Sequence, residues 1–209
     1  MDYIKQAFYA KHDAWRYIVG LLLVIVAWQF IGALPLLIAL VMAVFKQGGD
    51  LNNTPSDIAG LTNLLGQNNF LLLMLISFVI GLIGLFLVVK FIHQQSFKSL
   101  TTARTKVDWK RILFAFFFWG IISSAMVILD YKLAPEDYVW NFDLQKFLVL
   151  AVIGIVLLPF QTSFEEYLFR GYLMQGIGVM AKNRWLPLVI TSVIFGVMHI
   201  ANPEVEKLG

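Results

Sequence analysis

Five long apolar runs constrain this chain more than any other feature of its sequence. They are Tyr17–Phe45, Phe70–Ile92, Ile112–Leu129, Phe147–Phe164 and Trp185–Ala201. A bilayer core of ~30 Å needs ~20 such residues per helix, within a range of roughly 17–25. Of the 209 residues, 59% are hydrophobic and only 14% are charged, so too little polar surface is available for an ordinary soluble fold. The sequence therefore predicts an all-α, polytopic transmembrane helical bundle of about five spans, with residues 1–209 forming a single domain.

The basic residues predict how these spans are oriented. Most of the 16 Lys and Arg residues lie in the N-terminal segment, the loop 93–111 and the segment 170–184. These segments share one side of the membrane if five spans alternate strictly, and cytoplasmic loops carry an excess of Lys and Arg. The N-terminus is therefore predicted to be cytoplasmic. The net charge of +3 follows from the same bias and calls for no nucleic-acid partner.

Two further patterns predict packing and not chemistry. In the polar segment 46–69, Thr54 is predicted to cap a short amphipathic helix with Pro55 at its first position. Its apolar face would lie on the outer surface of the membrane and carry Ile58, Leu61, Leu64 and Leu65. The small residues of Ser77–Gly81 and Gly120–Ser124 have the spacing that lets membrane helices approach closely.

Three charged residues interrupt the fourth apolar region. Glu165, Glu166 and Arg170 are followed by further apolar sequence, so the helix is expected to continue through them. Glu166 and Arg170 are four residues apart and can pair on one helix face, whereas Glu165 is rotated by about 100° from Glu166. One carboxylate would then be structural and the other free to act. In the alternative interpretation, the helix ends near Phe164 and the charges lie in an ordinary cytoplasmic loop.

A histidine in the next apolar run favours the first interpretation. The polar break Lys182–Arg184 predicts an antiparallel hairpin over about 147–202, in which Glu165 and His199 lie at equal distance, ~25 Å, from the turn. Phe195 lies one turn before His199 on the same face. Since the turn is predicted to be cytoplasmic, this register puts the pair toward the opposite leaflet unless the helices protrude from the membrane.

A carboxylate and an imidazole around one water molecule form a general acid–base site. The carboxylate takes a proton from the water while the imidazole orients or polarises that water. Such chemistry suits hydrolysis. The sequence contains no phosphate-binding glycine loop, serine nucleophile elbow or HExxH helix. It also has no cysteine, which excludes disulfides and thiolate metal sites.

At these residues the sequence resembles the CAAX prenyl protease and bacteriocin-processing (CPBP, or Abi) family of intramembrane peptidases. Its Glu-Glu-x-x-x-Arg motif is matched by Glu165, Glu166 and Arg170, and its Phe-x-x-x-His motif by Phe195 and His199. The resemblance implies a bacterial inner-membrane protein that cleaves a membrane-associated protein or peptide substrate. It also implies that Glu165 is the general base, that His199 helps to bind the water or a metal, and that Glu166 and Arg170 shape the site.

The family's third motif, a His followed four residues later by Asn or Asp, has no match. Asn202, one turn beyond His199, is expected to help shape the site but cannot replace a separate helix. The chain is therefore expected to be either a fragment or a relative that lacks part of the site, which a partner subunit would complete. Whether a zinc ion binds stays open, because Glu165 and His199 supply two ligands and a catalytic zinc takes three protein ligands.

Two other functions stay open beside the peptidase. The same fold can serve as a non-catalytic membrane scaffold or a bacteriocin self-immunity protein. Buried ionisable residues also mark ion pathways, so Glu165 and His199 are compatible with a proton relay.

Overall fold

The computed structural model describes residues 2–46, 48–49, 55 and 57–200, whose regular structure is entirely helical. The α-helices are α1 (Asp2–Lys5), α2 (Ala14–Ile25), α3 (Leu34–Lys46), α4 (Ile58–Leu65), α5 (Gln67–Leu87), α6 (Phe97–Thr101), α7 (Trp109–Leu133), α8 (Leu144–Glu165), α9 (Met174–Ala181) and α10 (Trp185–Ile200). Short 3-10 helices cover Gln6–Tyr9 and Pro135–Asp137, and π-helical segments cover Val26–Ile31, Val88–Ile92 and Glu166–Leu173.

Four helical segments are long and apolar enough to cross a membrane. They are Ala14–Lys46, Gln67–Ile92, Trp109–Leu133 and Leu144–Ala181. These segments contain the first four predicted spans. The fifth, α10, has 16 described residues, slightly fewer than the roughly 17–25 that a span requires. The prediction of an all-helical polytopic membrane protein is confirmed.

The second of these segments runs parallel to the fourth over the whole length of the second. Asn68 bonds to Lys146, His93 to Tyr172, and Gln95 to Gln175, at sequence separations of 78, 79 and 80. A separation that stays almost constant along two helices means that both run in the same direction at a fixed offset. Parallel second and fourth spans are what strict alternation across the membrane requires.

An aromatic cluster packs α5 and α8 against the first span. The Phe164 ring is fully buried and lies 5.0 Å from Trp28 and 6.0 Å from Phe78, measured between centroids. A Cβ atom on Gly81 would come within 3.0 Å of both Phe164 and Trp28. The close helix approach predicted at Ser77–Gly81 is therefore formed at Gly81, where α5 contacts α8 and the first span. This contact fixes α8 at Phe164, just before the charged motif begins.

The predicted cap of the short surface helix is wrong. α4 begins at Ile58, and the Asp57 carboxylate accepts a hydrogen bond from the Gly60 amide at 3.2 Å. Asp57 therefore caps the helix and Pro55 precedes it, while Thr54 lies outside the described residues. Both Thr54 and Asp57 are residue types that favour this position, so type alone does not choose between them.

α7 stands apart from the rest of the described protein. None of its apolar stretch is buried, and a Cβ atom on Gly120 would meet nothing within 4 Å. The close packing predicted at Gly120–Ser124 is therefore not formed with any described part of the chain.

Candidate functional site

One continuous helical segment carries the three charged motif residues. α8 passes without a break into the π-helical segment Glu166–Leu173, which we call the motif π-helix, and then into α9. The whole segment, Leu144–Ala181, is 38 residues long. The interpretation that the helix ends near Phe164 and leaves the charges in a loop is therefore wrong.

The turn after this segment forms where the sequence predicts it. α9 ends at Ala181, and Lys182 adopts the left-handed conformation with φ 52°. The Asn183 side chain then accepts a hydrogen bond from the Trp185 amide at 2.8 Å, so the polar residues satisfy the backbone between the two helices.

The hairpin brings two aromatic rings together one turn away from the predicted pair. The Phe169 and Phe195 rings meet edge to face with centroids 5.4 Å apart. Glu165 lies four residues before Phe169, and His199 lies four residues after Phe195. In an antiparallel hairpin, equal steps in opposite directions keep two residues at the same level, because both helices rise by similar amounts per residue.

Glu166, Arg170 and Phe195 form a connected cluster. Arg170 makes an ion pair with Glu166, as their spacing predicts, and its guanidinium carbon lies 5.3 Å from the Phe195 ring centroid. The cation is thus held by a carboxylate and by an aromatic face, both of which attract it. This cluster joins residues of both sequence motifs across the hairpin.

Glu165 is separated from that ion pair. Its side chain is half-buried, and the carboxylate accepts a hydrogen bond from the Gln161 amide one turn earlier, at 3.3 Å. A single neutral donor does not saturate the carboxylate, which has about four lone-pair sites. Glu165 can therefore still take part in proton transfer.

The His199 ring is oriented by Phe195. Nδ1 lies 2.7 Å from the Phe195 carbonyl oxygen, and the two rings lie 4.4 Å apart. Since a carbonyl oxygen only accepts, Nδ1 carries the proton in the neutral ring, and the lone pair is on Nε2. Among the described residues, no hydrogen bond joins Glu165 directly to His199, so their meeting around a water molecule stays a prediction. Asn202 lies outside the described residues.

The offset between the parallel helices gives the depth of Glu165. Tyr167, two residues later, packs beside Phe86 with ring centroids 5.7 Å apart. The span that contains Phe86 ends at Ile92, which puts Glu165 about 12 Å inside that end at 1.5 Å per residue. Glu165 therefore lies near the end of α5 that faces the hairpin turn, and α9 extends beyond that end. This arrangement corresponds to the exception in the sequence expectation, in which the helices protrude from the membrane, and the leaflet itself stays a prediction.

A cavity of about 450 Å³ opens beside the ion pair. Glu166 and Arg170 line it together with Thr101 and Tyr167, whose hydroxyl oxygens lie 2.9 Å apart. Leu100 supplies part of an apolar wall. Glu166 thus lines this cavity and Glu165 does not, so the two carboxylates differ in surroundings as well as in partners.

The residues that the structure describes do not by themselves complete a zinc site. No group of three His, Asp or Glu side chains suited to a metal ion occurs in the described part of the chain. Glu166 is occupied by Arg170, so Glu165 and His199 leave a catalytic zinc one protein ligand short.

The fold and the site together define a polytopic, all-helical integral membrane protein with a charged motif inside a spanning helix. Residues 140–208 match the family described as type II CAAX prenyl endopeptidase Rce1-like. The resemblance drawn from the two motifs is thereby confirmed for this part of the chain.

The comparison with curated proteins points to a longer relative. The chain is 33% identical over 133 residues to the uncharacterized protein YyaK of Bacillus subtilis (strain 168). The match covers 63% of this chain and 44% of that protein. No solved structure matches the chain significantly.

Sequence reasoning missed the residues that support the motif. Gln161 holds Glu165, and Phe169 packs on Phe195. Gln161 carried a usable signal, since it is a polar residue one turn before Glu165 in an apolar stretch. Phe169 carried none, because an aromatic residue in a membrane helix is ordinary.

Proposed function

We propose that this protein is an intramembrane peptidase that hydrolyses peptide bonds by means of a water molecule held between Glu165 and His199. The observation that carries the proposal is the Phe169–Phe195 contact, since a regular antiparallel register through this contact would bring the carboxylate and the imidazole to the same level. The Rce1-like match over residues 140–208 supports the same class of reaction.

The chemistry follows from the two side chains. Glu165 accepts a proton from the water, whose oxygen forms a bond to the peptide carbonyl carbon. His199 orients that water through the Nε2 lone pair, while its Nδ1–H stays on the Phe195 carbonyl. The C–N bond then breaks, and the proton held by Glu165 passes to the leaving nitrogen. General acid–base catalysis of this kind contributes typically 10²–10⁴-fold to a rate.

Glu166, Arg170 and Phe195 shape the site in this account. The Arg170 charge is neutralised by Glu166 and covered by Phe195, so Arg170 does not draw Glu165 into an ion pair. Glu165 is then left as the free carboxylate. Asn202, three residues after His199 in the sequence, is proposed to help shape the same site.

The substrate is proposed to be a membrane-associated protein or peptide. The level of Glu165, inside the end of the span, favours a peptide that enters from the adjacent membrane face. We place the protein in the bacterial plasma membrane. A zinc ion held by Glu165 and His199 would require a third ligand from elsewhere, such as a partner subunit.

The test compares isosteric variants in liposomes. The purified protein is reconstituted with a fluorogenic farnesylated peptide that ends in a CAAX sequence, and with the same peptide unprenylated. Glu165→Gln and His199→Asn are each expected to lower the cleavage rate by about 10²–10⁴-fold. Glu136→Gln is the matched control, because Glu136 is an exposed carboxylate in the short helix Pro135–Asp137, and it should cleave like the wild type.

The outcomes separate the three functions. Full cleavage by both variants at wild-type protein levels would rule out hydrolysis at this site. A scaffold or immunity protein would keep its cellular function in both variants. A proton relay would instead show proton flux into liposomes that Glu165→Gln abolishes.

A further inference from the structure

A buried polar cluster outside the sequence motifs connects the motif π-helix to the N-terminal part of the chain. His93 is fully buried, and its two ring nitrogens have separate partners. Nδ1 lies 2.7 Å from the Lys11 carbonyl oxygen, and Nε2 lies 2.9 Å from the Tyr172 hydroxyl. Tyr172 is itself only 1% exposed and belongs to the motif π-helix.

The chemistry of the partners fixes the direction of these bonds. The Lys11 carbonyl can only accept, so Nδ1 of neutral His93 carries the proton and Nε2 accepts from the Tyr172 hydroxyl. The carbonyls of Arg16 and Tyr17 lie farther from that hydroxyl, both at 3.3 Å. The His93–Tyr172 bond is therefore the shortest link from this hydroxyl to the rest of the cluster.

A second link lies one turn further along the same helix. The fully buried Gln175 amide accepts from Gln95 at 2.8 Å and donates to the carbonyls of Ser99 at 3.0 Å and Tyr3 at 3.3 Å. The helical segment after the motif is thus held at two successive levels by the loop that follows the second span.

These links matter for the site because of the π-helical geometry. A π-helix forms i→i+5 bonds, is rare, and often lies at functional sites. Relaxation of residues 166–173 to α-helix would change the rotation between Tyr172 and the charged residues Glu165, Glu166 and Arg170. Fixing Tyr172 against His93 therefore fixes the direction in which those charges point.

We propose that His93 is a positioning residue for the motif π-helix and acts through the Tyr172 hydroxyl. As far as catalysis is concerned, the proposal rests on the proposed peptidase function. His93 is fully buried against protein groups, and its proposed effect is on the alignment of Glu165 with His199.

The kinetic test uses three single variants, one double variant and a matched control. His93→Asn keeps a donor for the Lys11 carbonyl but does not reach Tyr172, and Tyr172→Phe removes only the hydroxyl. Each should lower kcat by about 10–100-fold with KM unchanged, because a small misplacement of reacting groups is costly. The double variant should be no slower than either single variant. His93→Gln, whose longer amide reaches Tyr172, should recover part of kcat. His12→Asn is the control, since among the described residues His12 has a hydrogen-bond partner only in the nearby Ala10 carbonyl and a ring contact with Phe8.

A second readout does not depend on activity. Because the chain has no cysteine, a Glu165→Cys/His199→Cys pair can report alignment through its rate of thiol cross-linking. His93→Asn should slow that cross-linking severalfold, whereas His12→Asn should not. Unchanged cross-linking in His93→Asn would overturn the positioning role even if no peptide is cleaved. Loss of cleavage in Glu165→Gln with wild-type kcat in His93→Asn and Tyr172→Phe would overturn it while sustaining the peptidase.

Discussion

Adjacent carboxylates with different surroundings are the central feature at the scale of single residues. Glu166 is paired with Arg170, while Glu165 accepts one hydrogen bond from Gln161. A charged side chain in the middle of a membrane helix costs about 2.5–3.5 kcal/mol on insertion scales, and such residues usually have a function. Two adjacent carboxylates are therefore expected to contribute to function or to the structure of the site. Their different partners support the proposal that Glu166 has a structural role and that Glu165 reacts.

The Glu166–Arg170 pair should show strong energetic coupling. In a double-mutant cycle of Glu166→Gln and Arg170→Gln, unfolding in mixed micelles should give a coupling of about 0.5–3 kcal/mol, because each single change leaves a charge unpaired. The pair Arg104–Asp108 has the same spacing, at 2.8 Å, but lies outside the membrane-spanning segments, and should couple less. Additive effects in the first cycle would show that the ion pair does not form.

His93 predicts how stability depends on pH. Burial lowers the pKa of His93 below its ordinary value of 6.5, and the Arg16 charge acts in the same direction, while the hydrogen bond to Lys11 and the Asp13 charge raise the pKa. The unfolded chain therefore takes up the proton more readily, so stability is complete above pH 6.5 and falls as the pH drops below it. Unfolding at pH 5 and pH 7 should differ less in His93→Asn than in the wild type. An equal difference in both proteins would contradict this origin.

At the scale of helices, close packing depends on where glycine lies. A Cβ atom on Gly20 would collide with the Tyr172 hydroxyl and come within 2.7 Å of Val88. One on Gly120 would meet nothing within 4 Å. Glycine is therefore needed for close packing at position 20 in the first span but not at position 120 in the third.

Alanine substitution should separate the two positions. Gly20→Ala is expected to destabilise the protein and to weaken the His93–Tyr172 link, because the Tyr172 ring must move. Gly120→Ala should be neutral or stabilising by up to about 1 kcal/mol, since alanine favours helix over glycine. Equal effects on the unfolding midpoint would contradict the packing described for Gly20.

The motif could be predicted from the sequence because its geometry is local. The Glu166–Arg170 pair follows from four-residue spacing, and the hairpin register follows from the polar turn at Lys182–Arg184. The π-helix could not be predicted, since nothing in Glu166–Leu173 differs from an α-helical pattern. The same holds for His93, whose importance depends on Tyr172, 79 residues away, and for the Asp57 cap, where several capping residues compete.

At the scale of the whole molecule, the fixed offset between the second and fourth spans determines what lies in the membrane. The helical segment Leu144–Ala181 is 38 residues long, or about 57 Å, against a bilayer core of ~30 Å. Since α5 and its π-helical end stop level with Tyr172, α9 and the hairpin turn extend past that end. The N-terminal helix α1 packs against α9 there.

This arrangement predicts the labelling of single cysteines. Arg184→Cys, in the turn, should react with a membrane-impermeant maleimide only from the cytoplasmic side, as the basic loops indicate. Glu136→Cys, between the third and fourth spans, should react only from the opposite side. Labelling of both from one side would contradict the alternating topology, and exchanged sides would reverse the orientation.

The most direct test of the account is whether Glu165 and His199 meet. In otherwise cysteine-free protein in native membranes, Glu165→Cys/His199→Cys is treated with a thiol cross-linker whose reach matches the 8–10 Å that separates packed helix axes. Phe169→Cys/Phe195→Cys is the positive control, and Glu165→Cys/Trp185→Cys is the negative control. The account predicts cross-linking of the Glu165/His199 pair at a rate close to that of the positive control. A rate no higher than that of the negative control would contradict it.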